Sequence, residues 1–174
     1  MKTVLITGGI ASGKSVVCRY LAEKGYPVYD SDSRTKSLYD SVPCLKERVE
    51  QAIGAPFSEI GIIFKDSAKR NALERVVHPE VLSDFERWKS GRKEDFVIFE
   101  SAIALERPLF RDLFDITVLV ESTLENRMER NPKTAVRHAV QNTETVKADI
   151  VIENNSTLDS LYRQIEDKLI CKLI

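Results

Sequence analysis

The sequence has few of the residues that build disulfide frameworks or metal clusters. Its three cysteines, Cys18, Cys44 and Cys171, are odd in number and show no C-x-x-C spacing. This argues against a disulfide scaffold or a structural zinc site and favours a reducing cytosol. The two histidines, His78 and His138, are too few for a histidine-rich metal centre. We therefore expect a cytoplasmic protein that is stabilised by an apolar core.

The sequence also lacks a strong net charge and a long hydrophobic run. Lys and Arg total 26 against 27 for Asp and Glu, a formal net charge of −1, so no overall field favours nucleic acid or an anionic membrane. No apolar run approaches the roughly 20 residues that cross a bilayer, and the segment 1–6, which runs into a glycine turn, is too short for a signal peptide. Nucleic acid and membranes are therefore not expected as partners, while the oligomeric state stays open.

What the chain does contain is an alternation of short apolar runs and helical patterns. Its 174 residues, 43% of them hydrophobic, are enough for one domain without covalent staples. The alternation predicts an α/β fold, a three-layer doubly wound parallel sheet of five strands. The predicted strands span residues 2–7, 27–30, 96–99, 116–120 and 149–152. The predicted helices around them span residues 14–24, 122–131 and the tail from Leu158.

The stretch between the second and third strands is charged and helical in pattern. We expect residues 33–91 to form a helical insertion within the single domain 1–174. Breaks are expected at Pro43, at residues 54–56 and at His78-Pro79, because glycine and proline interrupt helices.

A glycine-rich loop joins the first strand to the first helix. Residues 8–15, GGIASGKS, fit G-x-x-x-x-G-K-[ST] in the strand–loop–helix context that the motif requires. Such a loop curls its N–H groups around phosphate oxygens, and the helix adds its positive end. Lys14 is predicted to reach the β- and γ-phosphates of a nucleotide, and Ser15 to ligate Mg²⁺. The alternative is a glycine turn that merely connects a strand to a helix.

Acidic residues follow two other predicted strands at the edge where ligands bind in such sheets. Alternation along an extended segment would send Asp30 and Asp32 to the same side. One could hold the metal, and the other could orient or deprotonate an attacking hydroxyl. Glu100 ends the third strand and is a second candidate for the metal. The alternatives are a helix cap at residues 30–32 and a solvated acid at Glu100.

Three arginines, Arg127, Arg130 and Arg137, fall between the fourth and fifth strands. Arginine commonly neutralises the charge that develops on a transferring phosphoryl group, sometimes from a mobile lid. Arg127 and Arg130 share a helix face because they are three residues apart. The alternative is a solvated face paired with nearby acids. His78 is expected to have a structural or substrate-contacting role.

Together these features resemble the dephospho-coenzyme A kinase family. The resemblance rests on the glycine-rich loop, on Asp30-Ser31-Asp32, on Val77-His78-Pro79 and on residues 148–154 (ADIVIEN), in that order. It implies a P-loop kinase fold of the nucleotide-kinase type, with an acceptor-binding insertion in 33–91 and a lid in 122–147. The implied reaction transfers the γ-phosphate of ATP to the ribose 3′-hydroxyl of dephospho-CoA, with Mg²⁺ as cofactor.

The resemblance also implies roles for single residues. Asp32 would activate the hydroxyl, and Lys14 and Arg137 would complete the catalytic set. His78 and Glu106 would join Asp32 in binding the acceptor. The implied metal ligands are Ser15, Asp30 and Glu100. The implied ATP-binding set is Gly9, Ile10, Ala11, Ser12, Gly13, Lys14, Ser15, Val16, Arg130 and Asn154.

Some features depart from the family's pattern. Ala11 stands where a third glycine is usual, and alanine can replace it if φ stays negative. The insertion between Gly54 and His78 and the lid between Arg130 and Ala148 are shorter than is usual in the family. The rival interpretations are another P-loop kinase, such as a shikimate or nucleotide kinase, and a nucleotide-binding module with reduced catalysis.

Overall fold

The computed structural model describes residues 1–61, 66–132, 134 and 147–173. They form two compact units. The sheet unit comprises Met1–Asp30 and Lys93–Ile174, and the helical unit comprises Ser31–Arg92. The helical unit overlaps the predicted insertion 33–91. Within this described part of the chain, no helix combines the length and apolar character needed to span a bilayer.

The sheet unit is built on a five-stranded sheet whose strand pairs are all parallel. β1 (Lys2–Thr7) lies at its centre, in the order β2-β3-β1-β4-β5. The other strands are β2 (Val28–Asp30), β3 (Phe96–Glu100), β4 (Ile116–Glu121) and β5 (Ile150–Glu153). The predicted α/β fold with a five-stranded parallel sheet is confirmed, and the strand ends agree to within one residue.

Helices at the two ends of the chain cover one core of the sheet unit. α1 (Lys14–Glu23) buries Val17, Cys18 and Leu21 against the strands. The C-terminal segment begins as α6 (Leu158–Gln164) and continues as the π-helical stretch Ile165–Ile170 and the turn Cys171–Leu173. Its residues Leu161, Ile165 and Leu169 join the same core, as helical spacing predicts, whereas Leu158 is 55% exposed.

Two aspartates fasten the starts of neighbouring strands, at the edge of the sheet opposite the glycine-rich loop. Asp115 Oδ2 accepts a hydrogen bond from Thr3 N at 2.7 Å, just before β4. Asp149 Oδ2 accepts one from Thr117 N at 2.7 Å, just before β5. The aspartate of the ADIVIEN segment therefore has a structural role, in which it joins the start of β5 to β4. In the chain between β4 and β5, α5 (Leu124–Arg130) begins after Thr123, whose side chain caps the helix.

The helical unit packs three helices around its own apolar core. They are α2 (Ser31–Ser41), α3 (Leu45–Ile53) and α4 (Ser67–Ser90). The predicted breaks at Pro43 and at residues 54–56 are confirmed, since α2 and α3 end before them. Arg34 of α2 donates from Nε and Nη2 to both carboxylate oxygens of Asp84 on α4, at 2.8 and 2.7 Å. The core side chains are Leu38, Leu45, Val49, Ile53, Leu73, Val77, Val81 and Phe85.

The predicted break at His78-Pro79 is wrong, because α4 runs through Pro79. Proline has no N–H to donate to the carbonyl of Arg75, which costs an interior helix roughly 3 kcal/mol. Val77 and Val81, on either side of the proline, are buried, and the packing of α4 against α3 offsets that cost. His78 is therefore a half-buried residue inside a helix and does not cap one.

Candidate active site

The glycine-rich loop, residues 8–13, connects β1 to α1 and needs glycine at two places. Gly8 and Gly13 have φ of +147° and +106°, a region that favours glycine. A Cβ on Gly13 would also collide with the Asn154 amide, and one on Gly8 with the Val120 carbonyl. The left-handed Gly13 forms the N-cap of α1 and aims the first turn of that helix at the loop.

Five consecutive carbonyls of this loop accept hydrogen bonds from side chains. The pairs are Lys14 Nζ with Gly8 O (2.9 Å) and Gly9 O (3.1 Å), Arg127 Nε with Ile10 O (2.8 Å), Arg130 Nη1 with Ala11 O (3.3 Å), and Asn154 Nδ2 with Ser12 O (2.9 Å). Three of the four donor side chains come from α5 and from the end of β5. Three of the side chains that hold the loop's shape therefore lie outside the eight-residue motif.

Ala11 adopts a left-handed conformation, with φ of +58°. The condition under which alanine replaces the usual glycine, a negative φ, is not met. A left-handed non-glycine residue costs roughly 1–2 kcal/mol, because Cβ crowds the neighbouring carbonyl. The hydrogen bonds to the carbonyls of Ile10 and Ala11, on both sides of this residue, hold it in place.

The acidic ends of two strands lie beside Ser15. The register of β2 and β3 pairs Asp30 with Glu100 on neighbouring strands. Ser15 Oγ donates a hydrogen bond to Glu100 Oε1 at 3.0 Å. Burial raises the pKa of Glu100, and the charge of Asp30 acts in the same direction, while hydrogen bonds from Ser15 and Cys18 oppose the shift.

These three side chains offer the oxygen ligands that Mg²⁺ prefers. Within the described ranges, no three His, Cys, Asp or Glu side chains cluster into a self-sufficient metal site. Mg²⁺ usually takes one or two carboxylates from the protein and completes its shell with water and substrate phosphates. The predicted metal ligands Ser15, Asp30 and Glu100 are brought together by the fold, and their role stays a prediction.

Replacing Glu100 with Gln should raise the Mg²⁺ concentration for half-maximal activity by roughly tenfold or more. In the presence of a metal chelator, Glu100→Gln should have a higher Tm than the wild type at pH 8. At pH 5 this gain in Tm should be smaller. The sign follows from the raised pKa of Glu100. The wild-type fold loses stability as pH rises through the pKa of Glu100, because the buried carboxyl must then carry a charge. Gln carries no charge at either pH, so Glu100→Gln does not lose this stability.

The matched control for this prediction is Glu153→Gln, an exposed acid that ends β5. An unchanged Mg²⁺ requirement in Glu100→Gln would remove Glu100 from the metal site. An equal gain in Tm at both pH values would show that a buried charge is not the cause.

Arg127 is a buried arginine at the loop, only 5% exposed. The alternative of a solvated helix face is therefore wrong for Arg127. Its guanidinium lies against Gly9, where any Cβ would collide with it. Burial lowers the pKa of Arg127, and Nη2 has no hydrogen-bond partner among the described residues. Arg127 also lines a cavity of about 240 Å³ with Gly9, Ser12, Glu121 and Ser122.

Arg130 and Asn154 contact each other, and each donates a hydrogen bond to a carbonyl of the loop. Asn154 is 8% exposed, and its carbonyl accepts from Arg130 Nη2 at 2.9 Å and from Ser122 Oγ at 2.8 Å. Sequence reasoning missed Ser122, and no spacing signals it, because its partner is a backbone carbonyl 32 residues away. Whether Arg130 and Asn154 contact a nucleotide stays a prediction.

The remaining predicted site residues are spread over other elements. Asp32 is exposed in the first turn of α2, whereas His78 is half-buried within α4; both belong to the helical unit. The expectation that Asp30 and Asp32 share one side of an extended segment is wrong, because α2 begins at Ser31. Glu106 is exposed in the 3₁₀ turn Ala104–Glu106. Arg137 and half of the predicted lid, residues 133 and 135–146, lie outside the described residues.

The sheet order, the phosphate-binding loop after the central strand and the acids beside it define a P-loop protein of the kinase type. A crystal structure of a Thermus thermophilus protein matches with a TM-score of 0.81 and 28% identity, covering 99% of this chain and 98% of that one. The family model described as dephospho-CoA kinase matches residues 2–160. The chain belongs to the dephospho-CoA kinase family.

Curated relatives agree with that family. The dephospho-CoA kinase of Porphyromonas gingivalis is 41% identical over 139 residues, which cover 75% of this chain and 68% of the relative. That of Fusobacterium nucleatum subsp. nucleatum is 30% identical over 180 residues, covering 92% of this chain and 93% of the relative. The resemblance on which the sequence analysis relied is thereby confirmed, together with the P-loop kinase fold.

Proposed function

We propose that this chain transfers the γ-phosphate of ATP to the ribose 3′-hydroxyl of dephospho-CoA, yielding coenzyme A and ADP in the last step of coenzyme A synthesis. The observation that carries this is the match of residues 2–160 to the dephospho-CoA kinase family. The cytoplasm is the proposed location, which the free state of Cys18, Cys44 and Cys171 supports.

The donor half of the reaction is assigned to the sheet unit. Backbone N–H groups of the loop and the N-terminus of α1 bind the ATP phosphates. Lys14 brings its charge to the β- and γ-phosphates, where negative charge must be neutralised as the phosphoryl group moves. Mg²⁺, held by Ser15, Asp30 and Glu100, supplies further neutralisation of that charge when it is bound.

Further groups complete the nucleotide site in this proposal. Arg130 and Asn154, which lie next to the loop, contact ATP. Arg137, in the predicted lid, contacts the transferring phosphate. The loop residues from Gly9 to Val16 surround the phosphates.

The acceptor half is assigned to Asp32, His78 and Glu106. Asp32, exposed in the first turn of α2, takes the proton of the attacking hydroxyl. A positioned base of this kind supplies roughly 10²–10⁴-fold of rate. His78 and Glu106 hold the acceptor, and the insertion 33–91 contributes contacts remote from the chemistry, which also raise kcat because they orient the reacting group.

The proposal predicts a selective acceptor response. Dephospho-CoA should accelerate ADP release by roughly 10²-fold or more over the rate with water alone, because only a correctly held hydroxyl gains the advantage of proximity. Shikimate and nucleoside monophosphates should change that rate by less than about twofold. A coupled assay of ADP release measures the rates, and calorimetry measures ATP binding separately.

The other outcomes separate the rival interpretations. If shikimate or a nucleotide is the better acceptor, the acceptor assignment is wrong while the kinase chemistry stands. If ATP binds and no acceptor accelerates ADP release, the chain is a nucleotide-binding module with reduced catalysis.

A further inference from the structure

We propose that Arg127 is a positioning residue for the phosphate loop. It holds the Ile10 carbonyl and thereby keeps Ala11 in the left-handed conformation in which the loop binds ATP. This rests on the proposed function, since it takes ATP as the phosphate donor. It differs from the sequence-based expectation, in which Arg127 neutralises charge on the transferring phosphoryl group directly.

The first support is the way in which Arg127 meets the loop. Nε donates to the Ile10 carbonyl at 2.8 Å. The guanidinium occupies the space that Gly9 leaves by having no side chain. A single planar group therefore contacts two successive loop residues, and with 5% of its surface exposed it has little freedom to move.

The second support is the anchoring of Arg127 itself. Its carbonyl accepts a hydrogen bond from Thr134 Oγ1 at 3.0 Å, and Thr134 is fully buried. Its own N–H donates to the Thr123 carbonyl at 3.0 Å at the start of α5. Backbone and side chain are thus both fixed, which suits a group that holds another segment in place.

The third support is the strain at Ala11. An alanine with φ of +58° relaxes to negative φ unless its surroundings prevent it. Such a rotation would turn the peptide between Ile10 and Ala11 and redirect an N–H group of the loop. The hydrogen bond from Arg127 Nε to the carbonyl of that same peptide opposes the rotation.

Substitution of Arg127 tests this role. Arg127→Met should weaken ATP binding by about tenfold in calorimetry and raise KM for ATP to a similar extent. kcat at saturating ATP should stay within about threefold, and KM for dephospho-CoA within about twofold. Arg127→Lys should behave much like Arg127→Met, because an ammonium cannot reproduce the bond from Nε while covering Gly9. Arg163→Met, an exposed arginine on α6, is the control for lost charge.

A second substitution supplies the sharper test. Ala11→Gly removes the Cβ that makes the left-handed conformation costly. Its ATP affinity, measured alone, is the reference for the double variant. In the Arg127→Met background it should recover about threefold of the lost affinity, because the loop no longer relaxes away from its binding shape. A merely structural role for Arg127 would lower Tm, and Ala11→Gly would not restore ATP affinity.

Three results would overturn the proposal. One is an ATP affinity in Arg127→Met within twofold of the wild type. Another is a tenfold fall in kcat with KM for ATP unchanged, which would place the arginine's charge on the reacting phosphate. The third is the absence of any recovery in the double variant.

Folding of the Arg127 variants and ATP binding by the wild type are checked separately. If Arg127→Met fails to fold by circular dichroism, Arg127→Lys is measured in its place, alone and with Ala11→Gly. If the wild-type chain does not bind ATP, the proposed function fails first. If it binds ATP normally and the Arg127 variants do too, only the positioning role is wrong.

Discussion

Substituting Lys14 with alanine should lower the rate of phosphoryl transfer by roughly 10³-fold while the chain stays folded. Lys14 offers a full positive charge from within the phosphate loop. Removing a preorganised donor that faces developing negative charge typically costs about 10²–10³ in kcat, and cationic groups on phosphoryl-transfer sites contribute 10³ or more. A 10³-fold loss corresponds to about 4 kcal/mol of transition-state stabilisation.

The structure adds a second reason for a large effect. Lys14 Nζ donates to the carbonyls of Gly8 and Gly9 at 2.9 and 3.1 Å, so alanine removes two of the five side-chain contacts that hold the loop. ATP affinity should therefore fall as well as kcat. The apolar core of the sheet unit does not include Lys14, and circular dichroism should be unchanged.

Lys172→Ala is the control for this prediction, since Lys172 is an exposed lysine in the last turn of the chain. Its turnover should equal that of the wild type. Turnover of Lys14→Ala within threefold of the wild type, with a normal dichroism spectrum, would contradict the assignment of the loop.

Most of the sheet unit could be predicted from the sequence, because its signals are local. A strand buried on both faces appears as a continuous apolar run, and β1, β3 and β4 do. The order of the strands could not be predicted in this way, since pairings such as that of β1 with β3 join residues far apart in the chain. The helix through Pro79 was mispredicted, because tertiary packing outweighs the local preference of proline.

The candidate site, like the fold, could be predicted from the sequence only in part. The loop and its lysine follow from an eight-residue spacing, and Asp30 and Glu100 follow from their places at strand ends. Three of the five hydrogen bonds that shape the loop come from Arg127, Arg130 and Asn154. They act on backbone carbonyls, and no sequence pattern assigns them this role. The left-handed Ala11 was not predictable either, because its conformation is imposed by those distant contacts.

Replacing Asp32 with asparagine should lower kcat by roughly 10²-fold or more with little change in ATP affinity. Asparagine keeps the size and most of the hydrogen bonding of the side chain, yet it cannot take the proton of the attacking hydroxyl. The alternative interpretation of Asp32, a residue that only favours the start of a helix, predicts a different result. It predicts a loss of stability of about 0.3–1 kcal/mol and unchanged turnover.

Two variants make that comparison sharp. Asp159→Asn changes the same residue type in the first turn of α6, at an exposed position, and should leave kcat unchanged while losing similar helix-dipole stabilisation. Asp30→Asn should instead raise the Mg²⁺ concentration needed for activity. Initial rates at saturating ATP, a Mg²⁺ titration and thermal unfolding separate these effects. The opposite pattern, in which Asp30→Asn loses kcat and Asp32→Asn loses Mg²⁺ affinity, would reverse the two roles. The residue whose loss lowers kcat is the one that accepts the proton, and the residue whose loss weakens Mg²⁺ binding is the metal ligand.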